Sequence, residues 1–324
     1  MPDARQQITQ AIRESKALPT VPGVALEILK LSRDPNVSID KLAAVMEKDP
    51  ALAAKTLRFA NSSFYGTSQP ILKLSQALVR IGVRGARLLA LSFSLVDSCA
   101  RGAAQDCEFF HAFWYRSLAT SVLARRIASR SLRQHMDSAF VAALLADLGC
   151  VVLNRAFPDQ YRVIGRQFRV GTKELFELER AAFGLGHPEA GALLLASWGM
   201  PEELSKVVGG HHDLAGLTSG APDGSYDVAV IVMAASRLAD LLILGGAKSR
   251  VERTVQVFRK FFPFGAQHIQ AILHDVGPEI SSVGQLLDVG LPAVQLLESD
   301  AHSEMLRLAL EAGSGRPASP APNA

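Results

Sequence analysis

The stretch DPALAAKTLRFANSS, Asp49 to Ser63, decides the fold class. Asp49 is a helix-capping residue, and Pro50 fits the first helical turn, where its missing N–H costs nothing. Asn61-Ser62-Ser63 reads as a C-terminal cap, and Gly66 and Pro70 break the chain beyond it. The same grammar extends outward in both directions. Ser38 caps a helix that carries Leu42, Val45 and Met46 on one face, and Leu18-Pro19-Thr20-Val21-Pro22 ends an N-terminal helix. Toward the C-terminus, helical stretches are predicted over about 71–81, 83–98, 107–130, 136–153, 172–183, 188–198, 201–212, 227–244, 249–260 and 265–274. No alternating strand pattern interrupts them, so the fold class is all-α, a multi-helix bundle. The loops at 101–106 and 218–226 (TSGAPDGSY) divide it. The expected parts are an N-terminal helix over 1–17, helical units over 18–100, 107–213 and 227–310, and a disordered tail over 313–324.

Of the 324 residues, 48% are hydrophobic and 20% charged, enough to bury a core and to exclude wholesale disorder. With only 15 Phe, 4 Tyr and 2 Trp, packing falls mainly to Leu, Ala, Val and Ile. The net charge of +3 does not by itself imply a nucleic acid or an anionic membrane as partner. Cys99, Cys107 and Cys150 lack C-x-x-C spacing, which argues against a disulfide framework or zinc ribbon and fits a reducing compartment. The N-terminus carries no apolar signal region, and runs such as Val228–Ala235 fall short of the ~18 residues a membrane span needs. The expectation is a soluble, cytoplasmic protein.

Few motifs carry chemistry. GLGHPEAG (184–191) has neither the spacing nor the preceding strand of a nucleotide loop. His187 stands at a helix start, and His211-His212-Asp213 end the helix opened by Pro201. Histidine and aspartate ligate the ions of metal-dependent hydrolases, but histidines at helix ends also serve terminal carbonyls, and spacing leaves both readings open. His274-Asp275 mimics a metal-binding dyad but reads as a helix terminus before Pro278. Three arginine triples, Arg80/Arg84/Arg87, Arg126/Arg130/Arg133 and Arg162/Arg166/Arg169, lie at helical spacing and read as solvated faces, with no aromatics interleaved for base stacking.

The order of motifs resembles a known family. Leu18-Pro-x-x-Pro22, Asp49-Pro50-Ala51-Leu52, Asn61-Ser62 before Phe64-Tyr65-Gly66, and Gln76-Ala77-(x)3-Ile81-Gly82 resemble the first half of the HDOD family. FWYRSLATSVLARRIA (113–128), ALLADLG (143–149), GHPEAGALLLASWGMPEEL (186–204) and His211-His212 resemble its second half, so the likeness spans about 17–245. It implies a fold similar to that of HD-superfamily phosphohydrolases, an N-terminal helical half packed on an HD-like helical half. It also implies a bacterial signalling role in which much of the metal site is lost. Carried over by position, the first HD histidine falls at Arg116, the histidine of the His-Asp pair at Ala146, and the late aspartate at Ser236. Asp147, His187, His211 and His212 remain as vestigial positions, enough for one weakly held ion at most. A guanidinium at Arg116 turned into the same cavity would repel that ion and could replace its charge by pairing with Asp147.

The functional expectation is therefore a non-catalytic regulatory protein, with no catalytic residue, cofactor or resident metal. Its expected partners are signalling proteins, with a homo-oligomer left open and neither membrane nor nucleic acid among them. Phe64, Tyr65, Arg80, Arg84 and Arg87 are the candidate interaction residues. The alternative is a metal-dependent phosphohydrolase acting on a nucleotide or cyclic dinucleotide.

Overall fold

The structure, a computed structural model, describes residues 22–31, 37–62, 69–101, 107–167, 172–245 and 247–289, with 6, 8–10 and 65 besides. Phe64, Arg169, the loop at 102–106, most of the N-terminal helix over 1–17 and the tail over 313–324 lie outside the described residues. The first five helices are α1 (Gly23–Leu31), α2 (Ile39–Met46), α3 (Pro50–Ala60), α4 (Leu74–Ile81) and α5 (Val83–Arg101). Next come α6 (Cys107–Ser131), α7 (Met136–Leu145), α8 (Leu148–Ala156), α9 (Pro158–Gln167), α10 (Lys173–Phe183), α11 (His187–Ser197) and α12 (Glu202–Gly210). The last four are α13 (Ser225–Leu244), α14 (Lys248–Phe261), α15 (Ala266–Leu273) and α16 (Val276–Leu286). No strand occurs among the described residues, as the all-α reading requires.

Local chemistry sets the helix ends. Asp49 Oδ1 accepts from the backbone N–H groups of Ala51 (3.0 Å) and Leu52 (3.1 Å), with Pro50 in the first turn of α3. Ser38 Oγ caps α2 by accepting from Lys41 N (3.2 Å). At the other end of α3, the Asn61 side chain donates to Leu57 O (3.0 Å) and Ile71 O (2.8 Å) and accepts from Ile71 N (2.7 Å). The helices α9 and α16 lie outside the stretches predicted from the sequence, and another boundary is moved. The helix predicted over 136–153 is split at Ala146–Asp147 into α7 and α8, which leaves Asp147 at the start of α8 with its side chain free of any capping role. The helix terminus read at His274 is where α15 ends, and Pro278 sits in the first turn of α16, where it withholds no needed donor.

The core centres on α6 and α13, which pack on each other, with α7 on α6. Both are buried on nearly every face over their central turns. The N-terminal helices join this body through α5 on α7 and through α16, which reaches both α3 and α6. Buried Lys55 of α3 donates to Leu287 O (3.4 Å) and pairs with Asp288 (3.5 Å), tying the first half to the end of α16. The apolar segment 133–156, long enough for a membrane span by composition, is mostly buried inside the fold.

Helices α8 and α11 meet backbone to backbone at Gly149, where a Cβ would lie 1.8 Å from His187 O and 2.6 Å from Gly191 N. Glycine is required there, and the close approach brings Asp147 within reach of His187.

Candidate functional site

Side chains from five helices and the turns beside them converge in the second helical half. Arg116 of α6 is 4% exposed, and its Nη1 donates to Asp147 Oδ2. Its Nη2 donates to Ser236 Oγ (2.6 Å) and Asp240 Oδ1 (3.1 Å), and its Nε to the same Asp240 oxygen (3.3 Å). The guanidinium thus bridges two buried carboxylates and a hydroxyl, and Arg116 and Ser236 are two of the positions where the family resemblance places lost ligands. Ala146, the third of those positions, is buried at the C-terminal end of α7 and packs in the core.

On the other side of Asp147 lie three imidazoles. His187 opens α11; Glu179 of α10 accepts from its backbone N–H (2.7 Å) and from its Nδ1 (2.6 Å) through a single oxygen, Oε2. Tyr161 of α9 donates to the second oxygen, Oε1 (2.8 Å). A carboxylate at a helix N-terminus is favoured by the exposed N–H groups, and here it also fixes the His187 ring. His211 ends α12 and donates Nδ1–H to Val208 O (2.7 Å), so its Nε2 is directed to Asp147 Oδ1 (3.5 Å). His212 Nε2 stands 3.1 Å from His187 Nε2, which is itself 3.6 Å from Asp147 Oδ1. Phe176 closes this end, stacked on the His212 ring at 5.4 Å and edge-on to His187. Asp213 turns away and caps the short helix at Leu214–Gly216.

The two sides differ electrostatically. Burial alone would raise the Asp147 carboxyl pKa, but Arg116, followed by His211 and His187, outweighs it and holds the group well below the usual carboxylate range. Asp240 touches the same guanidinium but has no imidazole beside it and faces the charge of Asp147, so burial prevails and its pKa is raised. Burial lowers His211, and burial with the neighbouring imidazoles takes His212 well below the ordinary value. For His187 the opposing burial is overcome by Cys150 and Glu179, and its pKa is raised well above the usual histidine range. Cys150 is a buried free thiol whose pKa burial pushes up.

The resemblance to HD phosphohydrolases would bring a metal centre with it, and the residues present fit one ion but not two. Asp147, His187, His211 and His212 bring one oxygen and three nitrogens within 4.8 Å of one another, and Asp147 Oδ1 and His211 Nε2 lack any hydrogen-bond partner. A second ion would need the space between Asp147 and Asp240, and Arg116 fills it.

The sequence reading missed Glu179, Tyr161 and Asp240. Asp240 lies one helical turn beyond Ser236, and the i, i+4 spacing was available as a signal. Glu179 and Tyr161 had none, because only the fold brings α9 and α10 against α11. The interaction candidates are placed differently from expectation. Tyr65 is half-buried, donates to Asp137 Oδ1 (2.7 Å) and lies beneath Arg125 (4.8 Å), so it is a joint between the two halves instead of a free anchor. Arg80 donates to Tyr65 O, and Arg84 pairs with Glu203 of α12 (3.7 Å). Arg87 is half-buried and lines a cavity of about 320 Å³ with Leu29, Leu88, Leu91, Pro201 and Glu203.

In the second arginine triple, Arg126 and Arg130 do not lie on a free face. Arg126 donates to Ile272 O (2.9 Å), His274 O (2.5 Å) and Asp275 O (3.2 Å) and pairs with Glu279, while Arg130 donates to Ala271 O (3.1 Å). These two cap the C-terminal carbonyls of α15. Arg162 is exposed and pairs with Asp159 (3.7 Å), and the Arg166 side chain lies outside the described residues. His274 and Asp275 pair with each other at 3.0 Å but are 71% and 76% exposed and do not join the buried site.

Comparison with known proteins follows the same lines. A crystal structure of an HDOD domain protein of unknown function from Geobacter sulfurreducens aligns over 88% of this chain and 99% of its own, at 24% identity and a TM-score of 0.62. A protein from Shewanella amazonensis, named as a candidate metal-dependent phosphohydrolase, aligns over 87% of this chain and 99% of its own, at 20% identity and a TM-score of 0.59. Both show the likeness of fold. An uncharacterized protein of Treponema pallidum is 26% identical over 198 residues, which cover 61% of this chain and 38% of that protein's length. The HDOD domain model matches residues 18–214, and the chain belongs to the HDOD domain family.

Proposed function

We propose that this chain is a non-catalytic signal-transduction protein that acts in the bacterial cytoplasm by binding other proteins. The observation that carries this reading is Arg116, locked between Asp147, Ser236 and Asp240 in the space a second catalytic ion would need. A divalent ion among Asp147, His187, His211 and His212 would polarise a phosphoryl oxygen only through a coordination position left open to substrate. Those four side chains expose between 0% and 6% of their surface, so a phosphoester has no path to them. Arg116 instead orients both carboxylates inward, and Glu179 orients His187. Both act to hold the helices together. The cavity between α1, α5 and the turn before α12 lies where the two halves meet, and a partner seated there would bias their orientation.

The test is hydrolysis of cyclic dinucleotides and of generic phosphodiesters with added Zn²⁺, Mn²⁺ or Mg²⁺. No turnover is expected. Metal-dependent turnover that disappears in both Asp147→Ala and His211→Ala, with each variant folded, would establish the phosphohydrolase reading instead.

A further inference from the structure

The imidazole side of the site poses a problem of hydrogens. Val208 O can only accept, so His211 Nδ1 carries the hydrogen of a neutral ring and its Nε2 presents a lone pair. That lone pair faces Asp147 Oδ1 at 3.5 Å, an atom that also can only accept, and neither has another partner. His187 Nδ1–H is directed at Glu179, so Nε2 is the His187 atom turned to the same space, 3.1 Å from His212 Nε2, and an ion bound there would take the place of the proton that Cys150 and Glu179 favour on this ring in the metal-free protein. Buried acceptors that face one another without a donor between them are costly.

The spacing matches a familiar geometry. Tetrahedral bonds of about 2.0–2.1 Å from nitrogen or oxygen to zinc put ligand atoms about 3.3–3.4 Å apart. Three of the six separations are 3.1 Å for His187–His212, 3.5 Å for His211–Asp147 and 3.6 Å for His187–Asp147, and all four ligand atoms lie within 4.8 Å of one another. A carboxylate behind the metal-ligating histidine is the outer support such sites use, and Glu179 supplies it to His187. We propose that Asp147, His187, His211 and His212 form a closed, four-ligand structural site for one zinc-type ion, with the Arg116 guanidinium as the permanent second cation. This deepens the non-catalytic reading and rests on it in one respect: a closed site has no position for substrate.

The experiment uses the full chain, purified without added metal. Elemental analysis should find about one zinc-type ion per chain. Stripping it with a chelator should lower Tm by roughly 5 °C or more, and Zn²⁺ should restore it. Co²⁺ substituted into the wild-type protein should give the intense visible bands of tetrahedral coordination, a readout that needs no variant. Glu179→Gln should weaken Zn²⁺ binding by about 10–100-fold. Metal-free protein whose Tm ignores Zn²⁺ and that gives no Co²⁺ bands would overturn the site while leaving the non-catalytic reading intact. Two ions per chain would overturn the role given to Arg116. One tightly held ion with phosphodiesterase turnover would overturn the closed site and the non-catalytic reading together, and spare only the ligand set.

Discussion

The two sides of one buried polar cluster are held together differently. On the Arg116 side every polar atom of the guanidinium corner finds a partner, and the positive charge is covalently part of the chain. On the imidazole side Asp147 Oδ1 and His211 Nε2 have none. Asp147 belongs to both, with one oxygen on each side. The difference teaches that loss of catalytic ligands need not empty a site. One half of the charge balance passes to a side chain, and the other half remains open to an ion.

The sharpest way to break this comparison is to remove the internal cation. Arg116→Met leaves Asp147 and Asp240 buried and uncompensated, and should cost about 3–5 kcal/mol in urea unfolding. In protein stripped of metal, adding Asp147→Asn and Asp240→Asn should return much of the loss, since an uncharged pair no longer needs the guanidinium. A cost below about 1 kcal/mol for Arg116→Met would mean that the cluster is not balanced by this residue.

A smaller effect belongs to the imidazole side. Glu179→Gln keeps the shape but turns one acceptor into a donor, facing the N–H groups of His187 or the Tyr161 hydroxyl. About 1–3 kcal/mol of stability should be lost in the same unfolding assay. Tyr161→Phe combined with Glu179→Gln should then cost less than Tyr161→Phe in the parent, because the two residues share one hydrogen bond.

The all-α fold was legible because caps and breakers are local: Asp49-Pro50, Ser38 and Asn61 do in the structure what their chemistry predicts. The site was half legible. Asp147, His187, His211 and His212 could be named from their order along the chain, and the pairing of Arg116 with Asp147 followed from charge. Asp240 was hidden by the expectation of a ligand at Ser236, four residues earlier on the same helix. Glu179 and Tyr161 were not legible at all, since their role depends on α9 and α10 folding back against the start of α11. The arginine stripes misled for a related reason. Spacing defines a face, but it does not say whether that face meets water or the carbonyls of another helix, as Arg126 and Arg130 do.

Acid should separate the two carboxylates that share Arg116. The folded pKa of Asp147 lies below its ordinary unfolded value of about 4. Its contribution is therefore present above that value and is lost as pH falls toward the folded one. Asp240 has the opposite sign: its folded pKa is raised, so it takes up a proton in the folded state first, and stability gains as pH falls through that value. Measured between about pH 3 and 5, Asp147→Asn should flatten the acid loss of stability and Asp240→Asn should steepen it. The same slope in both variants would show that the guanidinium does not distinguish them.

The smallest expected effect comes from the dyad that only looks like part of the site. His274 and Asp275 carry the residue types of a metal pair and contact each other at 3.0 Å, yet both side chains are largely in water. An exposed pair of this kind contributes little, because solvent screens it and both side chains lose freedom to hold it. Asp275 does its work through the backbone: it sits at φ 49° between α15 and α16, and its carbonyl accepts from Arg126 Nη2 (3.2 Å). Glycine adopts that left-handed conformation without a Cβ penalty and keeps the carbonyl, so Asp275→Gly should stay within about 0.5 kcal/mol of the parent, as should His274→Ala. Arg126→Ala, which removes the side chain that gathers three carbonyls and Glu279, should cost about 1.5–3 kcal/mol at the same junction. Ion content should be unchanged in all three, and a loss of bound ion in His274→Ala would mean that the dyad, and not the buried cluster, is where metal resides.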